Sequence, residues 1–488
     1  MRRALLLTAA LLCTVPSAAR AFCGFYVSSA GADLFNDATM VVLMRDGTRT
    51  VLSMQNNYRG PPQDFALVIP VPVVLQKDNV KTLPKSVFAR VDALASPRLV
   101  EYFEPGDCGP PPPMAMAPAP MNSAGGGLER RRDLGVKIEA KFEVGEYEIL
   151  ILSAKEALGL ETWLKENKYR IPEQAAPLLA PYVQNNWKFF VARVNSKKVQ
   201  FVNNEAVLSP LRFHYDTEKF ELPVRLGLVN SGGTQDLVVH VIARQRYELA
   251  NRPNVLVPTN VEVTPAVEKE FGAFYASVIE KTFAKQPTAA ITEFAWKGAM
   301  PPPQTMVGGG IYGVTCDPCP PPHPVDDPLT RLLGADVMPG VKTDEDVAKF
   351  AREATLTRLH LRYGKDTAKD DLVLRITDPV AGGIPEKPRP VPAKDNRFQA
   401  RYIMVKPFDA SRCWQGMGGA MGGPMGGPMG PVPGSMPTAV GAPSNMTKPG
   451  VLSAAIESYL RADVPELNLV ASPPKRPAAE KGAKPAPK

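Results

Sequence analysis

The chain reads as an α+β protein of mainly antiparallel sheets with short helices, interrupted by Pro/Gly-rich disordered linkers. Strand-like runs follow one another across tight turn signals, helical patterns gather in blocks, and proline and glycine concentrate in a few stretches. With 488 residues, 52 prolines and 38 glycines, the length suits two or three folded units and the Pro/Gly excess argues for fewer.

At the start, Met1, Arg2 and Arg3 precede an apolar run from Ala4 to Leu12, and Ala19-Arg20-Ala21 closes it. A basic n-region, a short h-region and an A-x-A site make residues 1–21 a secretory signal peptide cleaved near Ala21, leaving Phe22-Cys23 as the mature terminus. The expected location is extracytoplasmic: periplasmic, cell-surface or secreted. The run is shorter than the roughly 20 residues a spanning helix needs, no later run is long enough, and no transmembrane segment is expected after signal removal. Leu12 before Cys13 and Phe22 before Cys23 are too large for lipoprotein processing.

The first folded elements are two β-branched runs, Thr39 to Arg45 and Thr48 to Gln55, separated by Asp46-Gly47. That dipeptide signals a type I′ turn, and the pair reads as a β-hairpin. Phe65 to Val74 is strongly apolar but carries Pro70 and Pro72, which donate nothing to a ladder and place the run at an edge or sheet exit. Pro84 opens a helix with Val87, Phe88, Val91 and Leu94 on one face. The Pro, Ala, Met and Gly of residues 105–133 form a disordered insert.

Val136 to Val144 and Tyr147 to Leu152 are strands hinged at Gly145-Glu146, followed by helices over Lys155 to Glu166 and Glu173 to Val183 and a strand from Trp187 to Val194. Leu211 to Tyr215, Pro223 to Val229 and Leu237 to Arg244 read as strands, the last two an antiparallel pair. A helix from Pro265 to Ala284 and a strand from Ala289 to Trp296 close the main α+β domain, residues 22–297.

Residues 298–325 are a Pro/Gly-rich linker. Residues 326–412 form a smaller α+β segment packing on the main domain, with a helix from Asp344 to Ala354 and strands at Leu356 to Tyr363, Leu372 to Ile376 and Phe398 to Val405. Residues 413–450 are a Met/Gly/Pro low-complexity linker, 451–472 a short helical segment and 473–488 a basic disordered tail.

The formal net charge of +8 is unevenly placed. Arg2, Arg3 and Arg20 leave with the signal peptide, and the tail holds five basic residues against Glu480, so the body is almost neutral. A nucleic-acid-binding domain would carry a basic stripe there, and no nucleic-acid partner is expected.

Candidate chemistry is sparse. Cys23, Cys108, Cys316, Cys319 and Cys413 remain after signal removal, an odd set that permits at most two internal disulfides. Cys316-Asp-Pro-Cys319 with His323 nearby is the sharpest motif, but Pro320 to Pro322 preclude the helix that would lower a redox thiol pKa, and further metal ligands are missing. Structural disulfides are the reading adopted. Met417, Met421, Met425 and Met429 suggest Cu(I) capture, which a Gly-Pro matrix does not preorganise. Gly308, Gly310 and Gly313 match a phosphate loop only arithmetically. His214, His240, His323 and His360 are scattered, without a catalytic motif around them. No catalytic residue, metal ligand or cofactor site is assigned. Asn56, Asn57, Tyr58 and Arg59, leaving the second strand before Gly60-Pro61-Pro62, form a candidate binding loop on a β scaffold, with ordinary turn chemistry as the competing reading.

Cys23 to Val27, Val41 to Val73 (VVLMRDGTRTVLSMQNNYRGPPQDFALVIPVPV) and Leu356 to Leu374 (LTRLHLRYGKDTAKDDLVL) resemble an uncharacterised family of secreted bacterial proteins, domain of unknown function 2330. The likeness covers roughly Cys23 to Arg412 without the linkers. It implies secretion and carries no activity or site residues across. The functional expectation is a non-enzymatic secreted or periplasmic protein binding a cell-envelope or protein partner. The alternative is an extracytoplasmic enzyme, either a hydrolase or a CxxC-type thiol redox protein.

Overall fold

The computed structural model describes residues 25–28, 35–36, 40–55, 58–59, 65–103, 138–167, 175–195, 198–202, 205–230, 234–298, 327–364, 367, 370–407 and 456–472. The expected signal peptide at 1–21, the expected insert at 105–133, the expected linkers at 299–325 and 413–450 and the basic tail lie outside them. Six helices are described: α1 (Ser86–Ala95), α2 (Ala157–Glu166), α3 (Ala175–Gln184), α4 (Phe271–Lys285), α5 (Asp327–Leu333) and α6 (Asp344–Glu353).

Alternation of side chains along strands, and the question of what covers each face, organises the molecule into layers. An eleven-stranded sheet lies at the centre. Its middle runs Ala290–Lys297, Thr355–Tyr363, Gln235–Ala243, Met40–Asp46, Arg49–Met54 and Leu211–Asp216. These neighbours are antiparallel except Gln235–Ala243 with Met40–Asp46, which run parallel in the register Val238↔Met40 to Ala243↔Arg45. Strand Gln235–Ala243 is buried along its whole length, as expected of a strand covered on both faces.

One face of this sheet meets a five-stranded antiparallel sheet built from Phe25–Ser28, Phe65–Val71, Lys188–Val194, Tyr147–Ser153 and Ile138–Val144. Leu43, Leu52, Val239 and Leu359 of the large sheet share one core with Leu67, Ile69, Ile151 and Phe190 of the smaller. Helices α2 and α3 cover the outer face of the smaller sheet through Leu160, Leu164, Leu179 and Tyr182. On the far face of the large sheet, α1, α5 and α6 close one apolar cluster and α4 closes another. The α+β class with mostly antiparallel sheets is therefore what the chain adopts, arranged as helix, sheet, sheet, helix.

Most local readings hold to within a residue or two. Asp46 pairs with Arg49, so the hairpin turn is Gly47-Thr48 rather than Asp46-Gly47. Gly47 alone takes a positive φ (+54°), the pattern of a II′ turn. Phe65–Val71 is an interior strand, and Pro70 is tolerated because strand Phe25–Ser28 pairs only as far as Val68. Pro223 to Val229 is not a strand: Arg225–Asn230 forms a 3-10 helix. The cause is Asp371, whose Oδ1 accepts the Val224 and Arg225 backbone N–H groups at 2.8 and 3.2 Å and closes a turn there. The described part of the final helical segment likewise holds 3-10 turns, Ile456–Tyr459 and Pro465–Leu467. Residues 265–269 form a 3-10 turn ahead of α4.

Candidate functional site

The alternation of apolar and polar residues along Thr355–Tyr363 places Arg358, His360 and Arg362 on one face, opposite Leu359 and Leu361. Adjacent registers bring Asp236 opposite Arg362 and His240 opposite Arg358. On the other side the pairing jumps from Thr292↔Leu359 to Phe294↔Arg358, and Glu293 is the extra residue of that β-bulge. The bulge turns the Glu293 carboxylate onto the same face. Asp92 of α1 and Glu280 of α4 complete a continuous row.

The contacts run from one surface edge to the other. Arg358 pairs with Asp92 through Nη1 and with Glu293 through Nε. His360 Nδ1 stands 3.3 Å from Glu293 Oε1, and its Nε2 stands 3.5 Å from Asp236 Oδ2, an ion-pair contact too long for a full hydrogen bond. Arg362 binds Asp236 with Nε at 2.5 Å and Nη2 at 2.7 Å, and Glu280 with Nη1 at 2.8 Å and Nη2 at 2.6 Å. The Tyr275 hydroxyl donates to Glu293 Oε1 at 2.5 Å. Phe283 lies under Arg362, 4.7 Å from ring centroid to guanidinium, and meets the His360 ring edge-on at 5.6 Å.

Glu293 is 0% exposed, Arg358 1% and His360 2%. Burial alone would neutralise such charges, so their states show how strongly the row is coupled. Burial opposes ionisation of Asp236, but the hydrogen bonds from Arg362 and the nearby charge of His360 outweigh it and hold the carboxyl at about 2. Burial also works against the Glu293 charge, and Arg358 with His360 keeps that carboxyl far below its ordinary range. His360 is disfavoured as a cation by burial, yet its two carboxylate neighbours raise it to about 9. His240 is pushed well below its usual value by burial and by Arg358. Neither of its ring nitrogens has a hydrogen-bond partner among the described residues. The row can hold a proton and fix helices to a sheet, and the contacts of its charged groups are made among its own members.

A second feature is exposed. Residues 385–392 are all solvent-facing, between the buried runs 380–384 and 398–402. They form the tip and outer arm of a hairpin in which Val380 pairs with Pro392 and Ala381 with Val391, closed by a bridge between Ile384 and Lys387. Gly382 lies under Pro390, whose Cα would come 2.9 Å from an added Cβ, and Gly383 (φ +65°) lies 2.0 Å by the same measure from the Gln399 carbonyl oxygen. The first approach closes the two arms of the hairpin on each other; the second, with the pairing of Ala381 to Arg397 and Gly382 to Phe398, fixes the hairpin to the sheet. Strand Val391–Pro392 ends the large sheet. Because Ala393 N–H donates to the Pro379 carbonyl at 3.2 Å, ladder alternation turns the nitrogens of Pro390 and Pro392 outward. Neither carries a hydrogen.

Tyr58–Arg59 is a short strand paired on one side to Phe35–Asn36 and on the other to Glu205–Val207. Asn56 and Asn57 of the same candidate loop lie outside the described residues, as do Cys23, Cys108, Cys316, Cys319, Cys413, His323 and the methionine repeat. His214 is half-buried beside Asn79, its Nε2 3.1 Å from Nδ2, away from His240 and His360. Sequence reasoning assigned no role to Arg358, His360, Arg362, Asp236 and Glu293, although R-x-H-x-R within an apolar strand was a visible signal.

A model of the family described as an uncharacterized protein conserved in bacteria, domain of unknown function 2330, matches residues 17–375. The match contains the stretches Val41 to Val73 and Leu356 to Leu374 and ends short of Arg412. No curated protein and no solved structure matches the chain. With the greater part of its length covered, the chain belongs to the bacterial family of domain of unknown function 2330.

Proposed function

We propose that the protein works outside the cytoplasm as a non-enzymatic binding protein for a cell-envelope component or protein partner, and that the hairpin around residues 385–392 is its presented surface. The observation that carries this reading is the combination of exposure with fixation: eight consecutive residues are exposed while their base pairs with Arg397 and Phe398 and Gly383 packs against the Gln399 carbonyl. A prefixed segment loses little conformational entropy on binding. Its outward prolines disfavour strand addition, leaving the Lys387 and Arg389 cations, the Glu386 carboxylate, the Val391 side chain and proline rings as contact groups. The basic leader and A-x-A site at residues 1–21 support delivery to the envelope.

The test places a photo-crosslinking side chain at Val391 of the full-length protein in its own cells. One discrete adduct in the envelope fraction, lost in the double variant Lys387→Glu/Arg389→Glu, together with a mature terminus near Phe22, is the expected result. No adduct, self-adducts alone, or an adduct indifferent to charge reversal overturns the reading.

A further inference from the structure

The buried row ties two helices to one sheet face. From α1, Asp92 reaches Arg358; from α4, Glu280 reaches Arg362 and Tyr275 reaches Glu293. The centre of that row is His360, set between the carboxylates of two different strands and lying edge-on against Phe283 of α4. The groups facing it are Asp236 and His240 from Gln235–Ala243, Glu293 from the bulge, Arg358 and Arg362 on its own strand, and Tyr275 and Glu280 from α4. Asp92 acts on it through Arg358, and Tyr402 stacks edge-on with Tyr275 at 5.7 Å.

Within this row the carboxylates of Asp92, Asp236, Glu280 and Glu293 outnumber the guanidiniums of Arg358 and Arg362. An imidazolium at His360 nearly restores the balance. A neutral imidazole removes one cation from between the buried Asp236 and Glu293 carboxylates beneath α4, a loss of counter-charge that a protein interior tolerates poorly.

We propose that His360 is a proton-operated rivet: protonated, it holds α4 against the sheet, and its deprotonation in alkaline surroundings loosens α4 while the strands beneath stay paired. This inference is independent of the hairpin and of any partner. The direction follows from linkage. A histidine raised to about 9 in the folded chain contributes fully below its ordinary value near 6.5. Its contribution shrinks as pH rises from there and is gone above about 9.

The experiment is hydrogen–deuterium exchange of the full-length protein, corrected for the intrinsic pH dependence of exchange, at pH about 6 and about 9.5. Protection of α4 peptides should fall about tenfold or more between the two, with Met40–Asp46 unchanged, and His360→Gln should show no such pH dependence. Equal protection of α4 at both pH values, or a wild-type response retained in His360→Gln, overturns the proposal. Should His360→Gln not fold, wild-type protein decides: the midpoint of α4 opening must coincide with a histidine ring titration seen by NMR, and a mismatch rejects the rivet.

Discussion

His360 Nδ1 lies 3.3 Å from Glu293 Oε1 in a part of the core where the Glu293 side chain is wholly inaccessible to solvent. A carboxylate so placed answers two cations at once, Arg358 and His360. Removing it leaves both buried without their shared counter-charge. Glu293→Gln, which keeps the shape, should therefore lower stability by about 3–5 kcal/mol. Urea unfolding measures this, and a loss below about 0.5 kcal/mol, the size of an ordinary surface substitution, would show that the row is not a structural tie.

Asp236 governs the acid side of the stability profile. Its folded value of about 2 lies below the ordinary 3.8, so its contribution is complete above 3.8 and is lost as pH falls through about 2. Asp236→Asn should be less stable at neutral pH and show a flatter acid limb over that interval. Denaturant midpoints across pH check the sign, and an unchanged acid limb contradicts it.

The nitrogens of Pro392, on the last strand of the eleven-stranded sheet, and of Pro390, just before it, face outward. Replacing both with Thr restores outward N–H donors to an exposed edge, which invites pairing between copies. The double variant should self-associate with rising concentration in light scattering while the wild type under the same conditions does not.

Gly383 takes φ +65°, and a Cβ there would come 2.0 Å from the Gln399 carbonyl oxygen. Gly383→Ala combines a disfavoured backbone with a clash against main chain that cannot retreat. A cost of about 1–3 kcal/mol or more is expected, read as a lowered Tm, with local loss of protection confined first to the Val380–Pro392 hairpin.

Thr343 closes a capping box on α6: its Oγ1 accepts the Asp346 backbone N–H at 3.1 Å, and Asp346 Oδ2 accepts the Thr343 N–H at 2.9 Å. Thr343→Ala should cost about 1 kcal/mol, and Thr343→Ser should restore most of it in the same unfolding assay.

The α+β class, the hairpin around Gly47 and the helix over Ser86–Ala95 were legible because they depend on local chemistry. A two-residue turn, a proline at a helix entry and a 3.6-residue period each act within a few positions. Pro223 to Val229 misled because Leu226 and Leu228 look like strand residues, whereas Asp371, far along the chain, supplies the acceptor that closes a 3-10 turn. The charge row was illegible for a related reason. Arg358, His360 and Arg362 alternate with leucines, which in sequence describes a strand with one wet face.

Sequence by itself determined the family likeness, the turns and the helix faces, since each is written in contiguous residues. Only the tertiary structure decided that the polar face of Thr355–Tyr363 would be roofed by α1 and α4, and that Glu293 would bulge out to meet it. Burial is set by whatever covers a surface, and the covering residues here come from segments more than sixty positions away.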